Sequence, residues 1–203
     1  MAFIFRSVSA DRFLLLARIA VFSIGFFPLL RWLILGFTQG LSANPAEFLI
    51  RSSGIWATVL LWLTLAVSPV RHIAAVPSII RVRRPLGLFA FFYTVLHVLG
   101  WALWERGLSL NAMFSDIFDR PFIAIGAIAT VLMLLLACTS THAAMRRLGA
   151  NWKRLHRSVY LIGVLSIAHF YLVRSGKNDF NDVYLYGAVL LILLGSRLWY
   201  RRR

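Results

Sequence analysis

The sequence predicts an all-α membrane protein: a bundle of six transmembrane helices with both termini on the cytoplasmic side. Three observations predict it. Of 203 residues, 60% are hydrophobic, with a mean hydropathy of +0.78, whereas soluble domains are about 45–50% apolar. Six apolar runs reach the roughly 20 residues needed to cross a bilayer core. The basic residues cluster in short segments between those runs and at the termini.

The runs fall at about 13–36, 53–71, 85–104, 120–140, 153–173 and 182–200. The first is too long for the roughly 7–15-residue core of a signal peptide and carries Arg18 and Arg31, so it reads as a retained span. Each of those arginines either snorkels to an interface or pairs with a buried polar group. The second ends at Ser68-Pro69-Val70-Arg71-His72, where proline and charge mark the exit. The third opens with Arg81-Val-Arg83-Arg84-Pro85, proline being preorganised for a first helical turn. The fourth, from Arg120-Pro121-Phe122 to Ser140, has no ionisable residue in its middle, and Met133 and Cys138 read as packing residues. The fifth has a basic start, Asn151-Trp-Lys-Arg-Leu-His156-Arg, and runs as one helix through His169. No internal repeat and no low-complexity segment is apparent. The short connections leave room for one transmembrane domain, 1–203, and no second soluble one.

Orientation follows from charge. Of 22 basic residues, fifteen fall on the side of both termini, five on the other (Arg51, Arg106, Arg120, Arg174 and Lys177) and two inside the first span. The Lys/Arg excess marks the cytoplasmic side. Six of the seven acids, all but Asp11, lie on the external side. The net charge of +15 is thus accounted for by topology and membrane lipid, and no nucleic-acid partner is expected. A single cysteine, Cys138, excludes an intrachain disulfide and a cysteine-held cluster.

The candidate functional residues are histidines. Ionisable residues inside a span are rare and mark function by default, and imidazole is a common ligand of haem iron. His97 lies about 18 Å into the third span at 1.5 Å per residue, in the external half. His169 lies at a comparable depth in the fifth span, so the two form a candidate axial pair for one haem iron. His156 lies 13 residues before His169, about 20 Å away along the axis and about 140° around an ideal helix. These two cannot share one iron. Gly163, between them, either admits a flat macrocycle or lets helices approach closely. His72 and His142 sit at span ends and read as interfacial.

The segments Arg83-Arg84-Pro85-Leu86-Gly87-Leu88 with His97, Arg120-Pro121-Phe122 through Thr139-Ser140-Thr141, and Leu155-His156 with Val159-Tyr160-Leu161 and His169-Phe170 resemble the MsrQ (YedZ) family. These are haem-binding membrane subunits of the bacterial periplasmic methionine sulfoxide reductase system, within the ferric-reductase-like transmembrane superfamily. The motifs cover about residues 81–176. The resemblance implies a b-type cytochrome of the inner membrane with one or two haems, and FMN as an associated cofactor. It implies electron transfer from the quinone pool or a cytosolic flavin reductase to MsrP, a periplasmic molybdopterin enzyme. The chain would be an electron-transfer subunit rather than the catalytic one. His97, His156 and His169 stand where the family's haem histidines stand. Arg83 stands near the position of a fourth, where it either replaces a ligand or meets a haem propionate. Any flavin phosphate would find Arg81, Arg83, Arg84, Arg146 and Arg147, which topology explains equally well.

Two other readings stay open. One is a stand-alone quinone-linked or ferric reductase. The other is a proton channel or transporter with a histidine relay, against which stands the lack of paired carboxylates inside the spans. With no Gly-x-Gly-x-x-Gly strand–helix unit, the chain has no recognisable nicotinamide domain, so any reductase activity needs an external donor. On the external side, the acidic loop around Glu105, Asp116 and Asp119 is a candidate docking surface or a solvated loop.

Overall fold

The computed structural model describes residues 2–38, 40–176 and 178–201, and side chains from residue 12 onward except at 201. Lys177, Arg202 and Arg203, and the side chains of Arg6, Asp11 and Arg201, which entered the charge count, lie outside it. The described residues form helices α1 (Ala2–Phe37), α2 (Pro45–Ile73), α3 (Arg83–Gly100), α4 (Leu110–Asp119), α5 (Pro121–Cys138), α6 (His142–Leu148), α7 (Ala150–His156), α8 (Ser158–Ser175) and α9 (Asn181–Arg201). Six helical stretches are long and apolar enough to cross a membrane: Arg12–Phe37, Pro45–Ile73, Pro77–Glu105, Pro121–Cys138, Ala150–Ser175 and Asn181–Tyr200. Successive spans alternate in direction. One face of the bundle therefore carries the chain ends, the 74–82 connection and the α5–α8 connection. It is called the terminal face below.

Local chemistry sets the boundaries. Asn44 caps α2, its side chain accepting the Glu47 amide hydrogen at 3.2 Å, with Pro45 in the first turn. The helix therefore starts well before the apolar run at 53. Its first two turns carry the exposed Glu47–Arg51 pair (3.1 Å) and are invisible to a hydropathy window. A 3-10 segment, Pro77–Val82, leads into α3, and a π-helical turn, Trp101–Glu105, closes that span.

Two expectations are corrected here. The expected acidic loop contains a helix, α4, capped by Ser109. Asp116 of that helix is buried and paired with Arg106 and with Arg120 (3.3 Å). Leu110, Phe114 and Phe118 stay exposed along one stripe, as in a helix lying at a membrane interface. The fifth span is not one continuous helix. It breaks at Arg157 into α7 and α8, so the ideal 140° between His156 and His169 does not apply.

The core runs between α2, α3, α5, α8 and α9, through Leu60, Leu65, Tyr93 and Ile162. Large apolar side chains such as Phe22, Leu33, Leu134 and Leu191 face outward, where a bilayer rather than water is the solvent. Buried polar tips bind helices together. The Tyr93 hydroxyl donates to the Gly25 carbonyl (2.6 Å), the Trp62 indole to the Tyr186 carbonyl (3.1 Å) and the Trp32 indole to Ser52 Oγ (2.9 Å). The closest helix associations are α2 with α3 and α5 with α8.

Candidate functional site

His97 on α3 and His169 on α8 meet in the bundle interior. Their ring centres lie 6.1 Å apart and their planes are perpendicular. Each ring is held by a neighbouring helix. His97 Nδ1 donates to the Ile50 carbonyl of α2 at 2.8 Å, and His169 Nδ1 donates to the Phe122 carbonyl of α5 at 2.7 Å. A carbonyl oxygen only accepts, so the proton of each neutral imidazole sits on Nδ1 and Nε2 keeps its lone pair. This is the arrangement of metal-binding histidines, whose other nitrogen is oriented by a carbonyl or carboxylate.

Glycines make the arrangement fit. A Cβ on Gly54 would stand 3.1 Å from His97 Nδ1, and one on Gly126 would stand 3.0 Å from His169 Nδ1. Both rings lie directly against a neighbouring helix backbone, and even a methyl group at those positions would push them back by a few tenths of an ångström.

These contacts expose an internal repeat that the sequence reading did not find. A shift of 72 residues carries Ile50 to Phe122, Gly54 to Gly126 and His97 to His169. The same shift carries the Thr58 hydroxyl bond to the Gly54 carbonyl onto that of Thr130 to Gly126. It also carries the Thr94 bond to Ala90 onto that of Ser166 to Ile162. The sequence holds the trace: Gly54-Ile-Trp-Ala-Thr-Val-Leu60 against Gly126-Ala-Ile-Ala-Thr-Val-Leu132. Both helix pairs run in the same sense through the bundle, so this is a parallel repeat. His97 and His169 occupy its equivalent positions.

Two imidazoles on opposite sides of one metal, with metal–nitrogen bonds of about 2.0–2.1 Å, put their ring centres about 6.2–6.6 Å apart. The observed 6.1 Å is within a few tenths of an ångström. Among the described residues no group of three or more His, Cys, Asp or Glu side chains could hold a metal ion. Two nitrogen donors suit a metal whose other ligands come from a macrocycle.

His156 lies apart from this pair. Its Nδ1 donates to the Trp152 carbonyl one turn back (3.2 Å), and its ring stacks on the Trp152 indole with centres 3.9 Å apart. No second described histidine faces it. The 72-residue shift equates His156 with Arg84, which is exposed. Arg83 is half-buried and lies close enough to His156 for their charges to interact. Arg197 on α9, which the sequence reading treated only as a topology charge, donates to Ser68 Oγ (2.8 Å). Its guanidinium sits 4.9 Å above the Tyr160 ring.

Other sequence candidates take no part. Gly163 approaches Leu190 of α9, where a Cβ would stand 3.2 Å from Leu190 Cδ1, so it serves helix packing. His72 stacks on Tyr200 (4.9 Å) at the terminal face, and His142 is exposed at the start of α6. Arg18 and Arg31 are exposed on α1, the second over the Phe48 ring at 5.6 Å.

Residues 53–167 match the model of the ferric reductase like transmembrane component, a range that includes His97 and His156 and stops just before His169. A protein-methionine-sulfoxide reductase heme-binding subunit MsrQ from Bordetella pertussis is 52% identical over 90% of both chains. Its namesake from Ralstonia nicotianae is 50% identical over 90% of this chain and 85% of its own. The chain belongs to the ferric-reductase-like transmembrane family, on its MsrQ branch. The magnetosome protein MamZ of Magnetospirillum gryphiswaldense is 42% identical over 81% of this chain, which corresponds to 25% of that protein. No solved structure matches the chain.

Proposed function

We propose that this protein is a b-type cytochrome of the bacterial inner membrane, with His97 and His169 as the axial ligands of one haem iron. The observation that carries the reading is the meeting of these two rings at 6.1 Å, each with Nδ1 held by a backbone carbonyl. The names of the MsrQ relatives support it independently. Bound haem supplies a one-electron carrier. The protein's part is to keep both imidazoles in one tautomer, raise their basicity through the Nδ1–H bonds and exclude water from the bundle centre. With both axial positions taken by protein, the site favours electron transfer over binding of oxygen or substrate.

Electrons enter from the quinone pool or a cytosolic flavin reductase and leave to the periplasmic molybdopterin enzyme MsrP, which reduces methionine sulfoxide in oxidised proteins. The chain is then the membrane subunit of that system, with both termini cytoplasmic, as the basic excess at the terminal face supports. His156 is the protein ligand of a second haem where one is bound, with Arg83 near its propionates. FMN belongs to this reading through the family alone.

The test is the oxidised and dithionite-reduced absorption spectrum of the purified protein, with haem quantified per chain. Wild type should show a b-type spectrum that collapses in His97→Ala and His169→Ala, while His156→Ala reports on a second haem. A colourless wild-type protein that still functions in its membrane would refute the reading and return the histidines to a proton-relay role.

A further inference from the structure

Arg197 is half-buried near the terminal face, on the side of α9 that meets α2 and α8. Among the described residues its guanidinium has two partners, the Ser68 hydroxyl at 2.8 Å and the Tyr160 ring face at 4.9 Å. Neither carries a negative charge. Its Nε is buried with no hydrogen-bond acceptor. Arg83, half-buried at the start of α3, is near enough for its positive charge to act on Arg197 and on His156. Among the described residues neither arginine forms an ion pair: every described pair lies toward the opposite face, on Glu47, Asp116, Asp179 or Asp182.

Two like charges that act on each other repel, and partial burial strips each of part of its hydration. Lysine or histidine relieves such a conflict by losing a proton, but arginine remains charged. A partly buried charge of this kind is stabilised by an opposite charge placed beside it. What Arg83 and Arg197 require is an oxyanion with several acceptor atoms, and the planar guanidinium fork suits carboxylate and phosphate alike.

We propose that Arg83 and Arg197, with Ser68 and Tyr160 behind them, form a binding site for the acidic group of a planar cofactor entering from the terminal face. That group is a carboxylate, as on haem, or a phosphate, as on FMN. The inference rests on the cofactor reading above and adds the sixth span to it: Arg197, not the exposed arginines of the connecting segments, is the second half of the clamp. Tyr160 presents its ring to the guanidinium and Ser68 fixes one Nη2, so the remaining donors of Arg197 are free for the ligand.

The test uses the full-length protein in detergent, depleted of cofactor and titrated with haem, haem dimethyl ester, FMN and riboflavin. Each pair differs only in its acidic group. A charge-assisted hydrogen-bonded contact corresponds to about 10–100-fold in affinity, so wild type should prefer the acidic member of one pair by that factor. Arg197→Gln and Arg83→Gln should each bring the ratio close to one, and Arg197→Lys should keep part of it. Discrimination within the haem pair assigns the carboxylate; discrimination within the flavin pair assigns the phosphate. Absence of discrimination in both pairs overturns the proposal.

Thermal unfolding separates binding from a structural role. Without cofactor, Arg197→Gln should unfold no lower than wild type, because it removes a repulsion. With cofactor it should unfold lower. An equal loss in both states would make Arg197 a packing residue and overturn the proposal. His97→Ala serves as the control: if it loses the bundle-centre haem yet keeps the discrimination, the clamp stands on its own. If wild type fails to bind haem while the flavin pair still discriminates, the haem reading fails and the clamp survives.

Discussion

Adding one methyl group to Gly126 should cost the protein much of its haem. In Gly126→Ala the new Cβ would stand 3.0 Å from His169 Nδ1 and 3.1 Å from Cε1, against an ordinary contact of 3.4 Å or more. The imidazole must therefore retreat by about 0.4 Å or tilt. It cannot retreat freely, because Nδ1 is tied at 2.7 Å to the Phe122 carbonyl and that carbonyl lies one helical turn before the substituted position. Moving the ring stretches this bond and shifts Nε2 relative to the His97 ring. Disturbing the outer partner of a metal-bound histidine typically lowers metal affinity by about 10–100-fold, and the expected loss of haem affinity lies in that range. Gly54→Ala should do the same to His97, because the repeat places its Cβ 3.1 Å from that Nδ1. Gly163→Ala is the comparison: its Cβ would meet the flexible end of Leu190 at 3.2 Å, so stability changes while haem content does not. The assay is titration of haem into cofactor-depleted protein, followed by the reduced-minus-oxidised spectrum. Unchanged affinity and spectrum in both Gly54→Ala and Gly126→Ala would refute the claim that these glycines set the imidazoles.

Other consequences follow from the same structure. Asp116→Asn removes the charged partner of Arg106 and Arg120; Asp116 is 10% exposed at its side chain but the arginines are 20% and 45% exposed, so the loss should be about 1–3 kcal/mol, below that of a fully buried pair; thermal unfolding in detergent measures it. Tyr93→Phe deletes the buried bond that ties α3 to the Gly25 carbonyl of α1. It should destabilise by about 1–3 kcal/mol without altering the haem spectrum, and intact stability would show that bond to be dispensable. Arg84→His makes the two repeats match at the position of His156, yet Arg84 is exposed, so haem per chain should not rise. Reporter fusions at residues 76, 108, 149 and 178 should place the first and third on the cytoplasmic side and the other two outside; any other pattern refutes the charge-based orientation.

Most of the fold was legible because each span is a long apolar run between basic segments. The histidine pair was legible too, since alternating spans of known rise put His97 and His169 at one depth. What sequence reasoning missed has physical causes. The first turns of α2 are polar, so hydropathy gave no signal, although Asn44-Pro45 with Glu47 is a recognisable helix start. α4 is too short and too polar for a span, and its alternation of Leu110, Phe114 and Phe118 with Asp116 resembled a solvated loop. The break at Arg157 has no proline or glycine to announce it. The repeat was readable in Gly54–Leu60 and Gly126–Leu132 but hidden because apolar helices draw on few residue types, so that chance matches are common. The carbonyls of Ile50 and Phe122 could not be found at all, because any residue type supplies a carbonyl. Only the glycines one turn later marked where an imidazole would lie.

The repeat explains why the two levels of the bundle differ. At the deeper level both copies have Gly, Thr and His in register, and the result is a site with matching contacts on its two sides. Such symmetry suits a ligand that asks the same of both sides, as an iron taking two equal axial nitrogens does. Toward the terminal face the copies diverged. One connection is a short 3-10 turn leading to Arg83 and Arg84; the other is a pair of short helices leading to His156. The same 72-residue spacing therefore delivers its side chains to unlike places, so that Arg84, equivalent to His156, is exposed while Arg83 is half-buried. The sixth span, outside the repeat, then supplies Arg197 to this asymmetric level alone. A bundle with a symmetric centre and one charged, asymmetric end has a built-in polarity. In the proposed reading that polarity distinguishes the end where an acidic, planar cofactor is received from the centre, where electrons are only passed on.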